Sequence, residues 1–265
     1  MKIIEAIILG IVQGLTEFIP VSSSGHLVVF SKVLGFESQG ITFEIMLHVA
    51  TLLAVILIFR NDLKNIIKKP FSKLSFLIIT SSVFTGIIYL LFKDLFLELF
   101  ESGKYVGQAM LFTGVILFLS DSIYKEDAPV NTLRKISYLD AAIVGILQGI
   151  AIIPGVSRSG TTICGGIFRK MDRNNALRFS FLLSIPAILG AFISDIVEVT
   201  GNDVELEIEL LPLIAGVIAA FFSGYLAIRF LIRFINKRGL RPFSYYVFAL
   251  GFLVLLDQHL FGIFL

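Results

Sequence analysis

The stretch Gly10-Ile11-Val12-Gln13-Gly14, continuing to Val21-Ser22-Ser23-Ser24-Gly25, returns later in the chain as Gly145-Ile146-Leu147-Gln148-Gly149 and Val156-Ser157-Arg158-Ser159-Gly160. The offset is 135 residues at every one of these positions. Both copies are polar, yet both lie in apolar sequence. The first adds Glu17 and His26; the second adds Arg158. Each apolar region, about 3–34 and 139–168, is cut near its middle by Pro, Gly and Ser. Neither half alone reaches the ~20 residues that a helix needs to cross a bilayer. Each region therefore reads as a re-entrant pair of half-helices that enters and leaves on one side. Such backbone is tolerated at membrane depth only where protein or a water-filled cavity surrounds it. A duplicated, broken, polar hairpin of this kind is the usual sign of a site buried at membrane depth.

The rest of the chain agrees with a membrane setting. Of 265 residues, 56% are hydrophobic and 16% charged, against about 25% charged in soluble domains. Six segments are long enough to cross a bilayer: about 43–59, 74–92, 105–120, 179–197, 211–230 and 245–264. The single cysteine, Cys164, has no partner for an internal disulfide. The apolar start runs into Gln13-Gly14-Leu15-Thr16-Glu17 rather than a small-residue cleavage site, so no cleavable signal peptide is expected. With Trp absent, interface markers reduce to Tyr and Lys/Arg.

Span counting sets the expected topology. One re-entrant hairpin plus three full crossings makes each repeat, and three is odd, so the second repeat is inverted. The expected fold class is an all-α polytopic membrane protein with six transmembrane helices plus two re-entrant helix hairpins arranged as two inverted-topology repeats. The chain forms a single integral membrane domain (1–265), with repeats at about 1–122 and 136–265. The regions 60–73, 123–138, 169–178 and 229–242 then share one side and hold 17 of the 22 Lys and Arg. The opposite side carries the acidic loop of Glu198, Asp203, Glu205, Glu207 and Glu209. By the positive-inside rule the basic side is cytoplasmic and both termini lie outside. Asp195 and Asp257, near span ends, are expected to reach the interface.

The polar residues of the hairpins point to chemistry. Gln13 and Glu17 are four apart and share a helix face. Gly10 with Gly14, and Gly145 with Gly149, form small-xxx-small pairs that read as close helix packing. A carboxylate at membrane depth costs on the order of 2.5–3.5 kcal/mol, so Glu17 needs a partner: a cation, a metal or a proton. Ser22, Ser23 and Ser24 before Gly25 either cap a helix or turn amides and hydroxyls toward an anion. His26 beside them is a candidate acid/base or leaving-group proton donor. Arg158 cannot shed its charge, and its planar fork suits a phosphate; the other partner open to it is Glu17 itself. If the repeats are inverted, the two hairpins meet near the midplane. An Arg, several hydroxyls, an acid and a His around one cavity then describe phosphate chemistry better than a pore. His48 and His259 have no motif around them and read as structural, although His48 lies one turn from Glu44, where a local pair or a place at the site's edge is open.

At these residues the chain resembles the undecaprenyl pyrophosphate phosphatase family, also called the bacitracin-resistance phosphatases. Gln13 to Glu17 matches the family's Glu/Gln-xxx-Glu, Pro20 to His26 its Pro-Val-Ser-Ser-Ser/Thr-Gly-His, and Pro154 to Gly160 its Pro-Gly-x-Ser-Arg-Ser-Gly. All three agree in order and spacing, and the hydrophobic layout agrees over essentially the whole chain. Gln13 stands where many members have Glu. The resemblance implies hydrolysis of undecaprenyl pyrophosphate to undecaprenyl phosphate and inorganic phosphate, recycling the carrier of cell-wall (peptidoglycan) precursors and giving bacitracin resistance. It implies a multi-pass protein of the bacterial cytoplasmic membrane with a site open to the outer face. It also implies a divalent cation, Mg2+ or Ca2+, held through Glu17 and Gln13. Carried over by position, Glu17, Ser23, His26 and Arg158 are the catalytic set. Gln13, Ser22, Ser24, Gly25, Ser157, Ser159, Gly160 and Thr161 line the substrate. The partners implied are the polyprenyl pyrophosphate, membrane lipid and a second copy of the chain as a homodimer, without nucleic acid.

Two rivals share the architecture: a polyprenyl-phosphate flippase or transporter, which needs headgroup binding but no nucleophile, and an anion channel. The acid-phosphatase-like lipid phosphatases also need a His-xxx-Asp. Here the residues four after His26, His48 and His259 are Phe30, Leu52 and Ile263, so that motif is absent.

Overall fold

The structure, a computed structural model, describes residues 2–36, 40–124, 136–201 and 209–262. Every element in it is a helix. In chain order these are α1 (Ile3–Phe18), α2 (Ser23–Val33), α3 (Gly40–Ile58), α4 (Arg60–Lys68), α5 (Lys73–Leu91), α6 (Lys93–Ser102), α7 (Val106–Ile123), α8 (Tyr138–Ile150), α9 (Arg158–Phe168), α10 (Arg173–Gly201), α11 (Leu210–Arg238) and α12 (Arg241–Leu256). A π-turn over Asp257–Phe261 closes α12.

The two broken regions become two pairs of short helices. α1 ends at Phe18 because Pro20 forces Ile19 out of the helical region, to φ −64° and ψ 136°. α8 gives way to a turn through Pro154 and Gly155, whose φ of 91° suits glycine. Ser22 caps α2, its Oγ accepting from the Gly25 amide at 3.3 Å, and Ser157 caps α9 by the same bond to the Gly160 amide at 3.1 Å.

The expected full crossings are all helical. α5, α7, α10, α11 and α12 are each long and apolar enough to cross a membrane, and α3 makes a sixth when counted with α4 across a 77° bend. The chain is thus a multi-pass helical membrane protein. α10 and α11 are longer than the apolar runs indicate, at 29 residues each, or about 43 Å at 1.5 Å per residue. Their basic ends continue the helix past a hydrocarbon core of ~30 Å. α4 and α6 occupy stretches that read as loops. Asp257, near the end of the last span, is buried against the rest of the protein, at 2% exposure. The residues Lys125, Arg134 and Lys135, the acidic loop from Asp203 to Glu207, and the end of the last span lie outside the described residues, as do the Asp195 and Glu198 side chains.

Each short-helix pair leans on the other half of the chain. α1 packs along α11, and α8 along α5. Gly10 faces the Gly216 carbonyl and Gly14 faces Ser223; Gly145 faces the Ser81 backbone and Gly149 faces Ile88. Ser81 and Ile88 stand 135 residues before Gly216 and Ser223, the offset of the repeat itself. A Cβ at any of the four glycines would lie inside 3.0 Å of its neighbour. Small-xxx-small spacing brings these backbones together, and hydroxyls seal the seams. Thr85 Oγ1 donates to the Gly145 carbonyl at 2.9 Å, and Ser81 Oγ to the Ala141 carbonyl at 2.6 Å.

Gly10→Ala and Gly145→Ala are therefore each expected to destabilise the detergent-solubilised protein by about 1–3 kcal/mol through overpacking. Gly86→Ala and Gly190→Ala, where a Cβ meets open space, are expected to be neutral or mildly stabilising. Thermal melting of the four variants checks the contrast.

Candidate active site

Glu17 lies on the last turn of α1, 6% exposed. Its two oxygens face different halves of the chain. Oε1 accepts from Arg158 Nη2 at the start of α9. Oε2 accepts from the Ser23 hydroxyl at 2.8 Å and from Gln13 Nε2 at 2.9 Å. Gln13, fully buried one turn before Glu17, also meets His48 Nδ1 at 3.0 Å. His48 Nδ1 is itself 3.4 Å from Glu17 Oε2. The Arg158 guanidinium lies over the Phe18 ring, 5.9 Å from its centroid. A buried carboxylate, a fixed cation and a hydroxyl thus occupy one point.

That point is where two helices begin. Ser23 is the first residue of α2 and Arg158 the first of α9, and both reach the same carboxylate. A helix N-terminus presents free amides and about half a positive charge, which favours an anion. The two starts are built alike. The Ser22 and Ser24 hydroxyls are 3.4 Å apart, and those of Ser157 and Ser159 are 3.3 Å apart. Cross-links hold the hairpins tip to tip: the Gly155 amide donates to Ser24 Oγ at 3.3 Å, and Ser159 Oγ to the Ile19 carbonyl at 3.4 Å. One difference is backbone strain. Ser22 has φ 73°, in the left-handed region that costs a non-glycine residue of order 1–3 kcal/mol, whereas its counterpart Ser157 has φ −75°.

Most of the residues singled out from the sequence meet here: Gln13, Glu17, Ser22, Ser23, Ser24, Gly25, Arg158, Ser157, Ser159 and Gly160. Thr161 Oγ1 is buried in α9 without a hydrogen-bond partner. His26 departs from expectation. Both its ring nitrogens are held away from Glu17: Nδ1 lies 2.7 Å from the Ser22 carbonyl and Nε2 lies 2.7 Å from the Tyr246 hydroxyl of α12, with the two rings stacked. A carbonyl only accepts, so Nδ1 carries the proton and Tyr246 donates to Nε2. His48 departs in the other direction. It read as structural, yet it contacts the carboxylate at the centre of the site. No motif marked it; the one available signal was its place among polar residues on an apolar span. Nothing marked Tyr246 beyond being an aromatic near a span end. His259 is exposed, its Nδ1 3.0 Å from the Leu255 carbonyl.

Among the described residues no group of three or more His, Cys, Asp or Glu is placed to hold a metal. The oxygen donors at hand are Glu17 and Gln13 Oε1, which is buried with no hydrogen-bond partner. This set is too small for a cage made of protein alone. It fits Mg2+, which commonly takes one or two carboxylates plus substrate phosphates and keeps several waters.

The model of the family described as bacitracin resistance protein BacA matches residues 6–253, spanning both hairpins. The chain belongs to this family. Relatives in it are similar over nearly their whole length. One from Carboxydothermus hydrogenoformans, named undecaprenyl-diphosphatase, is 45% identical over 259 residues, covering 97% of this chain and 98% of the relative. Another of that name, from Halothermothrix orenii, is 42% identical over 258 residues with the same coverage. A third, from Alkaliphilus metalliredigens, is 43% identical over 278 residues, again covering 97% and 98%. In this member of the BacA family the tips of the two hairpins are joined by the Glu17–Arg158 pair.

That pair generates a stability prediction. Arg158→Ala leaves Glu17 buried without its cation and is expected to cost about 3–5 kcal/mol. Adding Glu17→Gln removes the stranded charge, so the double variant is expected to melt above Arg158→Ala. A thermal double-mutant cycle in detergent checks this.

Proposed function

We propose that this protein is an undecaprenyl-diphosphate phosphatase. It hydrolyses undecaprenyl pyrophosphate to undecaprenyl phosphate and inorganic phosphate, which returns the lipid carrier to cell-wall synthesis and confers bacitracin resistance. The observation that carries the reading is the Glu17 carboxylate, which holds the Ser23 hydroxyl on one oxygen and Arg158 on the other. Nucleophile and base within hydrogen-bond reach, beside a fixed cation, is the arrangement covalent phosphoryl transfer needs. The relatives' name, undecaprenyl-diphosphatase, supplies the substrate.

In the mechanism we favour, the terminal phosphoryl group of the substrate takes over Arg158 and the amides at the starts of α2 and α9. Ser23 Oγ attacks phosphorus and passes its proton to Glu17 Oε2. The bond to the bridging oxygen breaks and undecaprenyl phosphate leaves. Water then attacks the phosphoserine, inorganic phosphate departs, and the Ser23 oxygen is reprotonated. Gln13 and His48 hold the Glu17 carboxylate at Oε2. His26 is a positioning residue: through Ser22 and Tyr246 it braces the strained turn from which Ser23 projects, and the Tyr246 hydroxyl gives it a proton path. A divalent cation held by Glu17 and Gln13 with the substrate's own phosphates would supply the charge compensation that one Arg lacks against a pyrophosphate.

We further propose six crossings and two re-entrant hairpins in inverted repeats. The reciprocal seating of α1 on α11 and α8 on α5, at one common offset, supports this. The concentration of Lys and Arg on one side supports a cytoplasmic placement for it, with the termini and the site's opening outside. Inverted repeats are also a transporter design, but a flippase has no use for a serine hydrogen-bonded to a buried carboxylate.

Phosphate release by purified protein from a long-chain polyprenyl pyrophosphate tests the function, and release by wild type no faster than by the variants would sink it. Ser23→Ala and Glu17→Ala are each expected to lower kcat by about 10²–10⁴-fold. Arg158→Lys loses the bidentate fork and is expected to lose about 10²–10³-fold. Mass mapping of protein quenched during turnover should find phosphate on Ser23; an unlabelled Ser23 favours direct attack by water. Tyr246→Phe removes one hydrogen bond to His26 and is expected to lower kcat by roughly tenfold with KM unchanged. Chelation followed by Mg2+ add-back tests the cation, with activity expected to fall and return.

A further inference from the structure

Two groups stand out among the basic residues of the side away from the termini. Arg169, Arg173 and Arg178 pair with Asp140, Asp121 and Asp62, joining helices to one another. Arg229, Arg233, Lys237 and Arg238, near the end of α11, have no acidic partner among the described residues, and all four are exposed. They line one groove of about 580 Å³ together with Leu226, Phe230 and Phe234. Its position along the helix is informative. Counting from Leu210, the 21 residues to Phe230 rise about 31 Å, roughly the hydrocarbon thickness. The four cations therefore sit at headgroup level, while Leu226 and Phe230, 64% and 50% exposed, face the acyl region just above. The opposite face of α11, with Gly216, Ala220 and Ser223, is packed on α1. The groove is thus separate from the hairpin site.

We propose that this groove binds an anionic diacyl phospholipid of the leaflet it faces. The ligand must be anionic at one end and apolar at the other, because the groove is. Arg229 donates to the Tyr225 hydroxyl at 3.1 Å, which leaves its charge uncompensated, and a cation cluster of this kind attracts a headgroup phosphate at a membrane surface, each Lys or Arg contributing. Arg also forks onto phosphate oxygens. A soluble anion would leave the aromatic and aliphatic end of the groove unused. A basic helix end that serves only to orient the protein has no need to surround one groove, and it predicts no choice among headgroups at a defined place.

The test is native mass spectrometry of the full chain in neutral detergent, titrated with phosphatidylglycerol or phosphatidylcholine. Wild type is expected to retain phosphatidylglycerol on the order of tenfold to a hundredfold better. The variant R229Q/R233Q/K237Q is expected to lose that preference while its phosphate release in micelles free of anionic lipid stays at the wild-type level. A photoactivatable phosphatidylglycerol should label wild type within residues 226–238, a readout independent of whether the variant folds. Equal retention of the two lipids, a preference that survives in the variant, or labelling elsewhere overturns the proposal. Displacement by inorganic phosphate at matched ionic strength, or by polyprenyl phosphate but not by phosphatidylglycerol, also overturns it, as a soluble-anion site or a product site.

Discussion

The salt bridge from Arg158 to Glu17 is the interaction on which the rest of the architecture depends. A lone carboxylate in a bilayer costs on the order of 2.5–3.5 kcal/mol, and an arginine cannot neutralise itself. Each solves the other's problem only if the two hairpin tips meet. Ser24 to Gly155 and Ser159 to Ile19 then tie the tips on either side of the pair. The glycine seams of α1 with α11 and α8 with α5 carry each hairpin to that meeting point. Without hydrophobic drive between helices inside lipid, close backbone approach and interhelical hydroxyl bonds supply the association.

The two copies of the repeated sequence differ at a few positions of the site. Ser22 and Ser157 do the same capping work, but the next residue is Ser23 in one copy and Arg158 in the other. Both reach Glu17, whose counterpart 135 residues on is Ile152. Gln13 binds Glu17 and His48, whereas its copy Gln148 donates to Thr85 Oγ1 at 3.1 Å and serves only a helix seam. The strained φ occurs at Ser22 alone of the two caps. The repeat supplies two helix starts that favour an anion; the differences put a serine hydroxyl at one and an arginine at the other.

Some residues of the site were readable because their types are costly where they stand. Glu17 and Arg158 inside apolar stretches demand partners, and the serine runs demand a turn. His48 gave no such signal. A histidine in an apolar span is usually a satisfied buried side chain, and only α3 passing beside α1 brings it to Glu17. Tyr246 was hidden for a different reason: an aromatic near the end of a span reads as an interface anchor, and its hydroxyl reaches His26 from α12, 220 residues away in sequence. His26 was legible as a site residue but not in its role, because a ring's hydrogen-bond partners depend on neighbours from other helices.

The sequence by itself determined the helical membrane class, the two broken polar segments, their repeat, and the charged pair that had to be neutralised. Those follow from local costs: apolar length, Pro and Gly at fixed places, and charge in a low-dielectric setting. Only the tertiary structure decided which atoms meet. It set Glu17 between Ser23 and Arg158 rather than beside His26, extended α10 and α11 past their apolar runs, and left four cations of α11 without acidic partners among the described residues. Such outcomes depend on the registry of one helix against another, set by contacts between residues far apart in the chain, and no local pattern encodes them.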